Sequence, residues 1–185
     1  EGEAPAELCA CEERSSGGSS PSPSPAPTKA TPTQPHSHLR KHPTHGLLLP
    51  QTGPTIVFVT VCTKGRQPWL ANDETHQLLR SVWSEASAWS VGRYVIMPDH
   101  IHLFAGLAQD QIPLENWGKY WKSMFTKRHG NADHRWQSDH WDTRLRNSEN
   151  YYEKWLYVRD NPVRKGLVLN ADAWPFQGEI HELSF

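Results

Sequence analysis

Hydrophobic periodicity divides the chain near residue 54. Before that point apolar side chains are scattered until Leu47, Leu48 and Leu49, and the stretch holds Ser-Ser-Gly-Gly-Ser-Ser, Pro-Ser-Pro-Ser-Pro and ten of the fifteen prolines. Too little apolar surface is present there to offset the entropy of ordering the backbone, which predicts a disordered Pro/Ser-rich tail over 1–54. From Thr55 to Phe185 the pattern is regular, and the length suffices for one compact domain with its own core.

Thr55 to Thr63 is nearly all β-branched or aromatic and reads as a buried strand, ended by Lys64-Gly65-Arg66. Asp73 then caps a predicted helix to about Trp89, with Leu78, Leu79, Val82 and Ala86 on its apolar face. Ser90 to Met97 and Asp99 to Leu107 read as two strands of a hairpin around Pro98. Pro113 opens a second helix to about His129, stopped by Gly130-Asn131. Trp136 to Leu145 is extended but weakly patterned, and Ser148 caps a last helix through Tyr157 to Asn161-Pro162. The order β-α-β-β-α-β plus a helix predicts an α+β, ferredoxin-like (RRM-like) antiparallel sheet with helices on one face and a C-terminal helix carrying Tyr157.

Composition adds three points. All nine tryptophans lie beyond residue 54, more than a small core usually needs, so some are candidate stacking residues. Basic and acidic side chains balance in the domain, so any nucleic-acid contact must come from a local patch. Cys9, Cys11 and Cys62 form no zinc or disulfide pattern, which points to a reducing compartment. No apolar run reaches membrane-spanning length, and the start Glu-Gly-Glu-Ala lacks signal-peptide features. Without an initiator Met, the chain is expected to be processed or incomplete.

The most informative segment is Met97-Pro-Asp-His-Ile-His-Leu-Phe104. On a strand, residues i and i+2 share a face, so His100 and His102 project together while Ile101 and Leu103 turn away. Two imidazoles on one rigid face make half of a metal site. Spacing alone is a weak signal, since His36-Ser37-His38 in the tail repeats it by composition. Tyr157 and Asn161 are four apart and would share a helical face. A phenol can attack phosphorus, and an amide oxygen with two imidazoles suits Mg²⁺ or Mn²⁺. Read as bare residues, Tyr157 is better taken as a core aromatic, and Asn161 as a helix terminator before Pro162.

Met97-Pro-Asp-His-Ile-His-Leu and Tyr157-Val-Arg-Asp-Asn-Pro-Val-Arg-Lys-Gly-Leu-Val168 together resemble the REP-associated tyrosine transposases, within the single-tyrosine HUH (His-hydrophobic-His) transposases. Trp141-Asp-Thr-Arg-Leu-Arg-Asn147 and Trp174-Pro-Phe176 are similar as well, so the likeness spans about residues 55 to 177. The resemblance implies His100, His102 and Asn161 as ligands of Mg²⁺ or Mn²⁺, and Tyr157 as the nucleophile. It implies an enzyme that nicks and rejoins single-stranded or hairpin DNA through a 5′-phosphotyrosine. It further implies a cytoplasmic, nucleoid-associated bacterial protein, monomeric or weakly dimeric, with no membrane partner.

The mixed aromatic and basic helix 113–129 supplies candidate phosphate contacts in Lys119, Lys122, Lys127 and Arg128, with Trp117, either Tyr120 or Trp121, and Met124 expected toward the sheet. Arg144, Arg146, Arg164 and Lys165 would extend that patch. Two other readings stay open: a domain of the same fold that binds DNA hairpins without cutting, and an unrelated metal hydrolase using His100 and His102 with a carboxylate such as Asp142.

Overall fold

A computed structural model of the chain describes residues 55–108 and 112–185; the expected tail over 1–54, with Cys9, Cys11 and the His36/His38 pair, lies outside them. The elements are β1 (Ile56–Thr63), α1 (Asp73–Glu85), β2 (Trp89–Ile96), β3 (His100–Leu107), α2 (Leu114–His129), β4 (Trp136–Arg144), α3 (Ser148–Arg159), α4 (Asn161–Arg164) and β5 (Gln177–Glu179). They form an α+β fold around one sheet in the order β4-β1-β3-β2-β5, with each neighbouring pair antiparallel.

The two-residue period of the central strands builds two cores. Val57, Val59 and Val61 of β1, with Ile101, Leu103 and Ala105 of β3, pack beneath α1 and α2 against Leu79, Trp83, Trp117, Trp121 and Phe125. The alternate residues Ile56, Phe58 and Phe104 face the other way, onto Tyr151 and Val158 of α3. β1 is flanked by β3 and β4 and buried along all eight residues. That explains its largely apolar, β-branched character.

Tertiary contacts adjust several boundaries. Asn72, not Asp73, caps α1, its side chain accepting from the Thr75 amide. This helix stops at Glu85 rather than Trp89, because Trp89 already pairs with Leu107 in the sheet. Asn147, not Ser148, caps α3. α2 closes on Gly130, whose φ of 72° is left-handed backbone that glycine adopts without strain. The last helix breaks at Asp160, since Pro162 has no N–H to continue the ladder, and α4 begins at Asn161. β5 has only three residues and carries no periodic signal. Among the described residues, no helix is long and apolar enough to cross a membrane.

The tryptophans are mostly structural. Trp83, Trp117 and Trp121 are fully buried, and the Trp117 indole N–H donates to the Ala86 carbonyl at 2.7 Å. Trp141, on the edge strand β4, is the single tryptophan of the nine that is exposed, at 44%.

Candidate functional site

The β2–β3 turn places the histidine pair. The Met97 amide donates to the His100 carbonyl at 2.8 Å, and Ile96 faces Ile101 across the hairpin, so β3 starts at His100 with its parity set. His100 and His102 therefore rise on the α3 side of the sheet. Their Nε2 atoms face one another at 3.1 Å, with the rings nearly perpendicular at 83°.

Both Nδ1 atoms are held from behind. His100 Nδ1–H donates to Asp99 Oδ1 at 2.6 Å, which leaves Nε2 as the nitrogen with a free lone pair in the neutral ring. His102 Nδ1 lies 2.9 Å from Thr60 Oγ1, a hydroxyl able to donate or accept, so either tautomer is accommodated. Phe58 stacks on the His102 ring at 5.4 Å. The pair fits a hard divalent cation: nitrogens about 2.1 Å from one octahedral ion, at right angles, stand about 3 Å apart.

Arg66 completes the rear wall. Its Nε pairs with Asp99 Oδ2 at 2.7 Å, and its Nη1 lies 2.9 Å from Cys62 Sγ. Arg66 holds a positive φ of 55°, a conformation that costs a non-glycine residue roughly 1 kcal/mol. A cavity of about 260 Å³ opens beside His100, lined by Arg66, Met97, Pro98, Asp99, Lys165 and Leu167.

The surroundings of His102 favour its neutral imidazole. Desolvation lowers the pKa of His102 well below its ordinary 6.5, and the positive charges of His100, Arg66, Lys154 and Arg164 push in the same direction. Burial opposes the Asp99 charge, but the His100 hydrogen bond and the charges of His100 and Arg66 outweigh it and hold that carboxyl below 3.8. Burial also lowers His76 and His129 below 6.5. For these three histidines the unfolded chain binds more protons than the folded one once the pH falls through the unfolded value of about 6.5. Stability should therefore drop as the pH is lowered from about 7 to about 5. Thermal melts across that range check this, and His102→Gln should flatten part of the slope.

Tyr157 and Asn161 sit on separate helical segments, joined through Arg164. The Arg164 guanidinium lies 3.9 Å over the Tyr157 ring, and its Nη2 donates to the Tyr157 carbonyl at 2.6 Å. The same nitrogen donates to Asn161 Oδ1. Lys154, one helical turn before Tyr157, links this cluster to the histidines: its ammonium lies 5.2 Å from the Phe58 ring centre and 5.8 Å from that of Tyr157. Tyr157 itself is 41% exposed.

The expected basic patch is divided by the sheet. α2 lies against the opposite core, so Lys119, Lys127 and Arg128 are on the far side from Tyr157. Lys119 pairs with Glu115, and Arg128 with Glu85, both at 2.6 Å. Lys122 is buried, not displayed: its ammonium donates to the carbonyls of Gln137 and Ser138 and fastens α2 to β4. Arg144 is opposite Val57 and turns to the α2 side, where its Nη2 donates to Thr55 Oγ1 at 3.3 Å. Arg146 is exposed beyond the end of β4. Arg164 and Lys165 are the two expected cations placed near the histidines and Tyr157.

Asp142 faces Val59 across the ladder, so it projects away from His100 and His102 and stands 3.7 Å from His140. That register removes the hydrolase built on these three residues. Sequence reading missed Thr60, Phe58, Asp99, Arg66 and Lys154. A signal existed for three of them: Phe58 and Thr60 have the opposite parity to the β1 valines, and Lys154 precedes Tyr157 by three on a helix.

No family model matches the chain. It is 26% identical over 122 residues to the REP-associated tyrosine transposase of Escherichia coli (strain K12), covering 64% of this chain and 73% of that protein. The solved structure of a REP-associated tyrosine transposase bound to a REP hairpin superposes with a TM-score of 0.59 at 25% identity, over 66% of this chain and 75% of the other. Sequence and fold together relate this chain to the REP-associated tyrosine transposases.

Proposed function

We propose that the domain is a metal-dependent single-strand DNA endonuclease of transposase type, which nicks and rejoins DNA at hairpins through a 5′-phosphotyrosine on Tyr157. The observation that carries this reading is the His100–His102 pair, with converging Nε2 atoms and anchored Nδ1 atoms, on the sheet face shared with Tyr157. The relative of known structure is bound to a REP hairpin, which makes a DNA hairpin with single-stranded flanks the substrate to try.

His100 and His102 would hold Mg²⁺ or Mn²⁺, with Asn161 adding its amide oxygen once released from Arg164. When bound, the ion supplies stabilisation of the negative charge that develops on the scissile phosphate. The remaining work falls to side chains. Asp99 and Thr60 orient the imidazoles, while Arg164 fixes the plane of the Tyr157 ring from above. Lys154, Arg164 and Lys165 supply positive charge for the phosphates on the same side. Tyr157 Oη forms a bond to phosphorus as the bond to the 3′-oxygen breaks; the phenol gives its proton to water and the leaving oxygen takes one up. The phosphotyrosine keeps the energy of the ester it replaced, so a 3′-hydroxyl can attack it and reseal a strand.

A second reading, hairpin recognition without cutting, is favoured by the Arg164 contact that occupies Asn161 Oδ1. A labelled DNA hairpin with single-stranded flanks, incubated with Mn²⁺ and run on a denaturing gel, separates the two. Nicking predicts a protein-linked band that chelation removes. Hairpins that are bound with no cleavage at any Mn²⁺ concentration would leave recognition as the function.

A further inference from the structure

The turn that follows α4 builds one wall of the cavity beside His100. Gly166 has a φ of 68°, left-handed backbone that glycine adopts without strain, and the Leu167 amide donates to the Pro162 carbonyl at 2.9 Å. This closed turn brings Lys165 and Leu167 to a space of about 260 Å³, which the β2–β3 turn and Arg66 complete. The Asp99 carboxylate in that wall is already matched, Oδ2 by Arg66 Nε at 2.7 Å and Oδ1 by His100 at 2.6 Å. The cavity therefore offers the Lys165 cation beside apolar surface from Leu167 and Pro98, with His100 at its edge and Tyr157 outside its lining.

We infer that this cavity seats the 3′-terminal nucleotide of the strand released when Tyr157 cuts, with its base against Leu167 and Pro98 and its own 5′-phosphate at Lys165. This role rests on the single-strand nuclease reading above and extends it to the strand that is not joined to the protein. As Tyr157 Oη bonds to phosphorus, the bond from phosphorus to O3′ breaks and the O3′ leaves with a proton. One fragment is then tied covalently, and the other is held by non-covalent contacts alone. In an in-line displacement the leaving oxygen departs on the side of phosphorus away from the attacking one. With the phosphate at His100 and His102, a space that His100 lines and Tyr157 does not is the seat for the departing nucleotide. Its volume is close to the lower end for small-ligand sites, about 300 Å³, which suits one nucleotide rather than a longer stretch.

Retention is what makes resealing the favoured outcome. A seated 3′-hydroxyl stays at high effective concentration beside the phosphotyrosine. It attacks phosphorus, the bond to Tyr157 Oη breaks, and the phenol regains its proton. Lys165 and Leu167 thereby position the strand and leave the reacting atoms to other residues.

The test is strand exchange by the full chain in Mn²⁺. A labelled DNA hairpin with single-stranded flanks is nicked in the presence of excess competitor, a strand with the sequence and 3′-hydroxyl end of the leaving fragment but longer at its 5′ end. The ratio of rejoined original to exchanged product reads retention, whatever the amount nicked. The wild type should rejoin the original far beyond its share of the 3′ ends. Lys165→Gln and Leu167→Ser should each shift the ratio toward exchange by about 10-fold, the size expected for one lost charged or apolar contact. Lys165→Arg, which keeps the charge, should stay close to the wild type. Both side chains are exposed, so all four proteins should melt together. A ratio in Lys165→Gln and Leu167→Ser equal to that of the wild type overturns the seat and leaves the nuclease reading intact. A wild type that nicks no flanked hairpin overturns both.

Discussion

Tyr157→Phe should abolish covalent capture of DNA, with the protein-linked product falling by at least about 10³-fold, while folding and DNA binding stay near wild type. The substitution deletes one oxygen and keeps the ring. Arg164 stacks on the ring face and donates to the Tyr157 main-chain carbonyl, and neither contact uses the hydroxyl. Lys154 likewise meets the ring. The side chain is substantially exposed, so losing its hydroxyl leaves no buried polar partner unsatisfied and costs little stability. What disappears is the oxygen that the proposed phosphotyrosine requires. The same gel, with a melting curve for each protein, checks this; a Tyr157→Phe variant that still traps DNA would assign the nucleophile elsewhere.

His102→Ala should have the second large effect, lowering Mn²⁺ affinity by about 100-fold or more, beyond what loss of an orienting partner typically costs. His102 supplies one of the two converging nitrogens, and no other side chain in its contacts offers a replacement: Phe58 is apolar, and Thr60 reaches the opposite nitrogen of the ring. Thr60→Val provides the graded comparison. It keeps the shape of the residue and removes the hydroxyl that orients His102 Nδ1, so affinity should fall by only about 10-fold. Titration calorimetry with Mn²⁺ alone measures both. Equal, small losses in the two variants would mean that the imidazole pair is structural.

The strand pair carrying the histidines was legible because period-two alternation is a local property. Val57, Val59 and Val61 on one face and Phe58 and Thr60 on the other could be read before any contact was known. The i, i+4 spacing of Tyr157 and Asn161 was legible too, although Pro162 divides the helix between them and Arg164, rather than a continuous helical face, joins them. Helical periodicity shows which residues share a face, but not which side of the sheet the helix lands on. That is why α2 and its basic residues were grouped with Arg164 and Lys165, when the sheet separates them. Lys122 illustrates a second limit: a long side chain at a helix surface reads as solvated until the neighbouring strand turns its carbonyls toward it. Trp141 shows a third, since composition alone does not separate an exposed tryptophan from a core one, and its exposure follows from β4 lying at the sheet edge.

The proposed chemistry turns on one bond, between Tyr157 Oη and a DNA 5′-phosphate. Its most direct test is mass spectrometry of peptides from wild-type protein incubated with a flanked DNA hairpin and Mn²⁺, then digested with nuclease and protease. The peptide containing Tyr157 should carry a nucleotide phosphate attached at that tyrosine. DNA that is cut while every tyrosine peptide remains unmodified, or an adduct on another residue, would contradict it.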